Sequence, residues 1–201
     1  MSIIVKGIKE MERSYRLAAR EMGKAEARAV KRTGTTIAAR QARAIAQIVN
    51  LKVGVIKEAL RTVKQPTSDN PSVTFEVTGK AIALREFSAR QTRSGVSVLV
   101  LKGGGRKRVK GAFMARGYGN NQQVFKRESQ ITGGAPRKKL MKAGRYKGQM
   151  REPIAKLFGP DVLSQYIKAA IQGVGVDTWE TRLPIELARE SAFALKRAGL
   201  I

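Results

Sequence analysis

Between Lys80 and Arg151 the chain carries 19 Lys and Arg against two acids, Glu86 and Glu128, a net +17 over 72 residues. The first 79 residues carry a net +8, and the last 50 carry none of the remaining excess that makes up the overall +25. Like charges held this close repel one another and oppose compaction. The block therefore has to lie on the surface, and its density points to an anionic mate, either nucleic acid or an acidic protein face.

The rest of the composition is that of a chain able to fold. Apolar residues make up 42% and charged residues 27% of 201 positions, which predicts a real core and one domain. Aromatic residues are only 5%, too few for extended base-stacking platforms. There is no cysteine and no histidine. Zinc fingers, iron–sulfur centres, thiol nucleophiles, disulfides and Ser-His-Asp catalysis are thereby excluded. The opening MSIIVKGIKEMERSYR turns charged within six residues, and no window approaches 18 consecutive apolar residues. Neither a signal peptide nor a membrane span is expected.

Periodicity divides the chain. Apolar or small residues recur at Ile8, Met11, Tyr15, Ala18, Met22, Ala25 and Ala29 in steps of three and four, a thin helical stripe. The stripe faces either a neighbouring subunit or the chain's own core. A second run follows through Ile37, Gln41, Ile45 and Ile48, after Gly34 and Thr35, which break or bend the segment. The pattern predicts helix over about 8–49, then a short helix from Val53 to Val63. Gln65–Pro71 is a loop by composition. Val73, Phe75 and Val77 then alternate with polar residues, as a half-buried strand does. Ile82–Phe87 is an extended piece, and Val96–Leu101 a buried strand. Lys102-Gly103-Gly104-Gly105 turns the chain into a returning strand, Arg106–Ala115, and Gln122–Arg127 forms another. Residues 129–151 are an irregular basic loop. Gly159-Pro160-Asp161 caps a helix to about Ile171, Gly173 and Gly175 interrupt it, and a last helix runs from Asp177 to about Arg197, with Pro184 bending it or delaying its start. The fold class is α+β. A long N-terminal helical segment (1–64) and C-terminal helices (152–201) pack with a small, mostly antiparallel sheet (72–127), and a flexible basic loop fills 128–151.

Two cationic clusters are the candidate sites. In KGGGRKRVKG, Lys102 to Gly111, a glycine turn frees backbone N–H groups for an anion. Lys102, Arg106, Lys107, Arg108 and Lys110 add charge-assisted contacts. No Gly-Lys-Ser/Thr follows, so this is not a P-loop. The second cluster is Arg137-Lys138-Lys139, with Lys142, Arg145 and Lys147 in a glycine-rich surround. The plain alternative for both is solvated charge. Glu186 and Glu190 stand four apart, as an exposed helix face, and Glu21 with Lys24 is ordinary surface pairing. Trp179, the single Trp, is a core or interface anchor. No metal-ligand set, cofactor motif or catalytic pair is apparent.

The order of several segments resembles a known family. These are Leu84-Arg85-Glu86-Phe87, Ala89-Arg90-Gln91-Thr92, Gly111-Ala112-Phe113-Met114-Ala115, Gln123-Val124-Phe125-Lys126-Arg127 and Arg151-Glu152-Pro153-Ile154-Ala155-Lys156-Leu157-Phe158-Gly159-Pro160. Together they resemble the prophage minor tail protein Z family of tailed bacteriophages over roughly Leu84 to Pro160. Glu128–Lys147 departs from it as a longer, more basic insertion. The resemblance implies a non-enzymatic virion protein of tail completion or head–tail joining. Its partners would be a tail terminator, tail tube or connector, and the backbone of packaged DNA. The chain would sit in a homo-oligomeric ring in the virion after synthesis in the bacterial host cytoplasm. The alternative is a general, sequence-independent nucleic-acid-binding protein of ribosomal or chromatin-like type.

Overall fold

The computed structural model describes residues 8–117, 121–142 and 146–200. The stripe that begins the chain does produce one helix, α1 (Ile8–Ile48), and Gly34 neither breaks it nor opens a hairpin. Gly34 instead lets the β-hairpin approach, since a Cβ there would come within 3.1 Å of Val73. After α2 (Val53–Ala59) the chain turns extended at Leu60, three residues before the expected helix end at Val63. Leu60-Arg61-Thr62 pairs with Val77-Glu76-Phe75, so strand pairing overrides continuation of the helix. The hairpin is β1 (Leu60–Lys64) and β2 (Thr74–Val77), antiparallel with a bulge between Thr62 and Lys64.

The described residues form two compact units. The first comprises α1 to Ala44, Lys57–Thr78 and the chain from Gln165. The second comprises Ile45–Ile56 and Gly79–Ser164. The expected α+β class holds, with a long helix at each end of the chain and small antiparallel sheets between. Among the described residues no helix is long and apolar enough to cross a membrane.

In the first unit α1 meets the last helix, α5 (Ala169–Arg197). Gln41 contacts Ile171, Arg40 contacts Thr178, Arg28 contacts Glu190 and Arg197 contacts Glu21. Numbers fall along one helix as they rise along the other, so the pair is antiparallel. The seam is lined by small residues: Ala18, Ala25, Ala29 and Thr33 from α1, and Gly175, Thr178 and Ala194 from α5 with Ala198 just past its end, all buried. Gly173 and Gly175 do not interrupt α5, and Asp177 lies within it rather than capping it. Gly175 is a point of close approach, where a Cβ would stand 2.6 Å from Gln41 Nε2. Pro184 also lies inside α5, on an exposed position where water can take the carbonyl it leaves unpaired. The expected helix after Asp161 is only α4 (Leu163–Tyr166), with Asp161 accepting the N–H of Ser164 at 3.1 Å. The stripe on α1 packs within its own chain from Ala18 onward, whereas Met11 and Tyr15 are exposed. Trp179 is half-buried beside Phe75 and Tyr166.

Close helix approach changes the fate of the charges that flank the seam. Glu186 and Glu190 are each only 5% exposed, not an open helix face, and Glu21 is buried as well. Glu190 receives Arg28 Nε at 2.6 Å and Arg32 Nη1 at 2.8 Å. Glu186 receives Arg182 Nη2 at 2.8 Å. Glu21 is held by Lys24 Nζ at 2.7 Å and Arg197 Nη1 at 3.5 Å. The reason is geometric: alanine-width contacts bring the backbones together, and the carboxylates beside them fall under the stems of the opposing arginines.

The second unit is built on two three-stranded antiparallel sheets. The first has the order β3 (Arg90–Thr92), β4 (Gly95–Val98), β5 (Lys107–Lys110). The second places β7 (Gln122–Arg127) between β6 (Phe113–Arg116) and β10 (Ile154–Lys156). The expected continuous return strand 106–115 is thus split. Gly111, at φ +71°, turns the backbone into a region that side chains resist, so β5 pairs with β4 while β6 pairs with β7. Ile82–Phe87 is not extended throughout: Leu84–Glu86 is a 3₁₀ turn that drives Phe87 fully into the core. Val96, Val98 and Val124 join it there.

The basic stretch 128–151 contains short α3 (Glu128–Thr132) and a two-residue ladder of β8 (Lys139–Leu140) with β9 (Met150–Arg151). Its two ends are tied together by Glu152, whose carboxylate accepts both the N–H and the hydroxyl of Ser129. Arg145 lies outside the described residues.

Removing the charge of Glu190 leaves Arg28 and Arg32, one turn apart on α1, without the carboxylate they share. Glu190→Gln is expected to cost about 2 kcal/mol in urea denaturation, below the usual cost of breaking a buried pair because the arginines are partly solvated. A double-mutant cycle with Arg28→Gln should show coupling; additivity would contradict the pairing. The carboxyl of Glu21 lies below its ordinary range, chiefly through its hydrogen bond from Lys24. Its contribution is therefore complete above the unfolded-state value and is lost as pH falls through the lower folded-state value. The acid limb of a stability–pH curve should flatten in Glu21→Gln.

Candidate anion-binding surface

In an antiparallel pair, residues directly opposite one another project to the same face, and neighbours along a strand alternate. In the first sheet of the second unit Arg90 lies opposite Ser97, and Ser97 opposite Arg108. Thr92, Gly95 and Lys110 form the next row on that face. Arg90, Arg108 and Lys110 thus stand on one side of the sheet, all exposed. The other side carries Val96 and Val98, both buried, with Val109 beside Val96. Gln91, also on that inner side, accepts the N–H of Met114 at 2.7 Å and ties the sheet to β6.

Pleating separates residues that are adjacent in sequence. Lys107 is opposite Val98, so it projects to the side away from Arg108 and Lys110. Lys102 lies in the turn, its N–H donated to Ile48 O at 3.0 Å. Its side chain borders a cleft of about 610 Å³ with Lys52, Arg85 and Glu86. Arg137, Lys138 and Lys139 are exposed ahead of and within β8, and Lys139 Nζ stands 3.6 Å from the Glu128 carboxylate. Among the described residues, no hydrogen bond or ion pair joins this cluster to the one around β5.

Arg106 has a different role from its neighbours. Its Nη2 donates to Ser88 O at 2.6 Å and Ser97 O at 2.9 Å, and its Nε donates to Ser97 Oγ at 3.0 Å. Ser88 is held at φ +51°, a conformation that costs a non-glycine residue energy. Asn50 Nδ2 secures the same corner by donating to Ser88 Oγ at 2.9 Å and Leu99 O at 3.0 Å. Arg106 thus commits its fork to the protein's own backbone. Arg108 makes one bond, to Ser94 Oγ at 3.1 Å, and keeps its remaining donors for solvent or a ligand.

Arg90 belongs to the cationic face but not to the cluster picked out by charge density. The signal that finds it is register: Arg93-Ser94 is a two-residue turn, and counting back across it places Arg90 level with Arg108. Carboxylate clustering offers no second site, since among the described residues no three acidic side chains group as a metal-ligand set.

Arg106→Ala is expected to destabilise the chain by about 1 kcal/mol and to raise amide exchange at Ser88 and Leu99. Arg108→Ala should leave both unchanged. Equal effects of the two changes would contradict this division of roles. No family model matches the chain, and no curated protein or solved structure is detectably similar to it.

Proposed function

We propose that this chain is a non-enzymatic structural protein of a tailed-bacteriophage virion, acting in tail completion or head–tail joining. It docks through a cationic sheet face onto DNA backbone or an acidic neighbour. The observation that carries this reading is the row Arg90–Ser97–Arg108 with Lys110 beside it. Three cations on one face of a small sheet repel each other, and the one side-chain bond among them, Arg108 to Ser94 Oγ, leaves most of their donors uncommitted. Their placement makes sense when phosphate or carboxylate groups cover them. The ordered segments from Leu84 to Pro160 that resemble the minor tail protein Z family supply the assembly context, and the basic residues at 137–139 supply a second, separate contact.

Nothing in the cationic face offers a helix to read base edges, so contact with DNA would be to backbone and independent of sequence. Acidic faces of a tail terminator, tail tube or connector would meet the same face by charge complementarity. A ring of copies in the assembly would repeat the face around an axis.

The triple change Arg90→Gln, Arg108→Gln, Lys110→Gln removes this face while sparing Arg106. Virion yield or infectivity should fall when the variant complements a defective phage. With duplex DNA, the log–log salt slope should become shallower by about 2 to 3, near 0.9 for each phosphate that is no longer neutralised. Lost infectivity with no DNA binding in either protein assigns the face to protein docking. Undiminished infectivity together with an unchanged salt slope would remove the role altogether. Strong binding to DNA and RNA alike, with no effect on assembly, favours the general nucleic-acid-binding alternative.

A further inference from the structure

The helical pair of the first unit leaves apolar surface uncovered toward both of its ends, and the two surfaces are complementary. Arg197, the last residue of α5, reaches Glu21, so the cover that α5 gives to α1 stops near there. The α1 stripe continues past that point. Ala18 is buried, but Met11 is 57% and Tyr15 60% exposed, and no residue from Met11 to Leu17 is buried. Residues 11–20 carry Arg13, Arg16 and Arg20 against Glu12, all exposed. This end of α1 is a cationic helix tip with two large side chains, one turn apart, on the face that the seam uses further along.

Toward the other end, about 33 Å along α1 from Tyr15 to Ile37 at 1.5 Å per residue, lies an open groove of about 390 Å³. Ile37, Val73, Phe75, Tyr166, Val176 and Trp179 line it. The only Trp of the chain and one of its four Tyr meet Phe75 here, and Val176 is 56% exposed. Aromatic side chains gathered at an open apolar surface are the usual anchors of a protein contact. The one charged residue bordering the groove is Glu180, exposed and without a cation in ion-pair reach among the described residues. In a chain with 40 basic and 15 acidic residues, a groove bordered by a carboxylate and by no cation favours a cationic occupant.

We infer that this groove receives the α1 tip of a second copy of the chain, with Met11 and Tyr15 entering against the aromatic lining and arginines of the tip meeting Glu180. The contact is a helix laid in a groove. The exposed tip continues the seam stripe, so docking completes the cover of a face that α5 buries only from Ala18 onward. The charges are opposite, whereas tip against tip or groove against groove would set like charges together. Tip and groove are also well separated along one helical pair, so each contact leaves a free groove on one copy and a free tip on the other. A head-to-tail contact of this kind propagates and ends in a closed ring or an open filament. The inference deepens the ring of copies under the proposed function by naming its surfaces, and it rests on that reading only for ring closure. Association in solution does not depend on it.

Sedimentation equilibrium of the full chain across the micromolar range tests this, in sodium chloride sufficient to screen long-range repulsion and with Trp179 emission as the local readout. Mass should rise with concentration through the dimer to larger species, and the emission should move to shorter wavelength as the groove fills. Tyr15→Ser and Val176→Arg each change an exposed position, and each should weaken association about tenfold or more. An equimolar mixture of the two variants should recover one contact and stop at the dimer, since the first supplies an intact groove and the second an intact tip. The triple change on the sheet face should leave mass and emission shift intact. If copies fail to associate while that triple change still lowers infectivity, this contact falls and the virion reading stands. A monomer at every concentration, a mixture that stays monomeric, or association lost with Tyr15→Ser but kept with Val176→Arg, the mark of a tip-to-tip dimer, would each overturn the inference.

Discussion

Glu21, Glu186 and Glu190 sit almost wholly out of water between the two long helices, and each is pinned by cations from both sides of the seam or from its own turn. The alanine and glycine contacts between them bury little apolar area, so the hydrophobic gain per residue is small. What those contacts allow is proximity. With backbones this close, a carboxylate on one helix comes under the arginines of the other, and the helices are locked in both direction and register. An ion pair taken out of water is a modest source of stability, but breaking one is severe because the survivor remains desolvated. The seam is therefore better described as specified by charge than as driven together by it.

The two units use basic residues in opposite ways. In the first, Arg28, Arg32, Arg182, Arg189 and Arg197 are matched to buried carboxylates of α1 and α5. In the second, the sheet of β3, β4 and β5 sorts side chains by parity. Valines go inward, while Arg90, Arg108 and Lys110 go outward with no carboxylate opposite them.

Much of the architecture is legible from residue order, and the departures have identifiable causes. Helix α1 can be bounded within a residue because its stripe persists through Gly34. The end of α2 escapes sequence reading because Leu60–Val63 satisfies helical and extended patterns alike, and only its pairing with Thr74–Val77 decides. The glycines of α5 look like breaks, yet Gly175 serves close contact with Gln41, a long-range fact that local propensity does not contain. Burial of Glu186 and Glu190 does leave a trace: Arg28 and Arg32 are also four apart, matching spacings on helices that run antiparallel. In the cationic cluster, composition locates the charges, but strand parity is needed to part Lys107 from Arg108 and to add Arg90.

Arg106 shows why side chains of equal charge are not interchangeable parts. Its flat fork reaches two carbonyls and a hydroxyl at once and holds a serine in a left-handed bend. An ammonium group at that position would preserve the electrostatic total yet lack the planar reach to tie the bend. Among descendants of this sequence, lysine and arginine should interchange freely at positions 108 and 110 while lysine is resisted at 106, so a substitution matrix that scores the three alike would misjudge which of them selection holds.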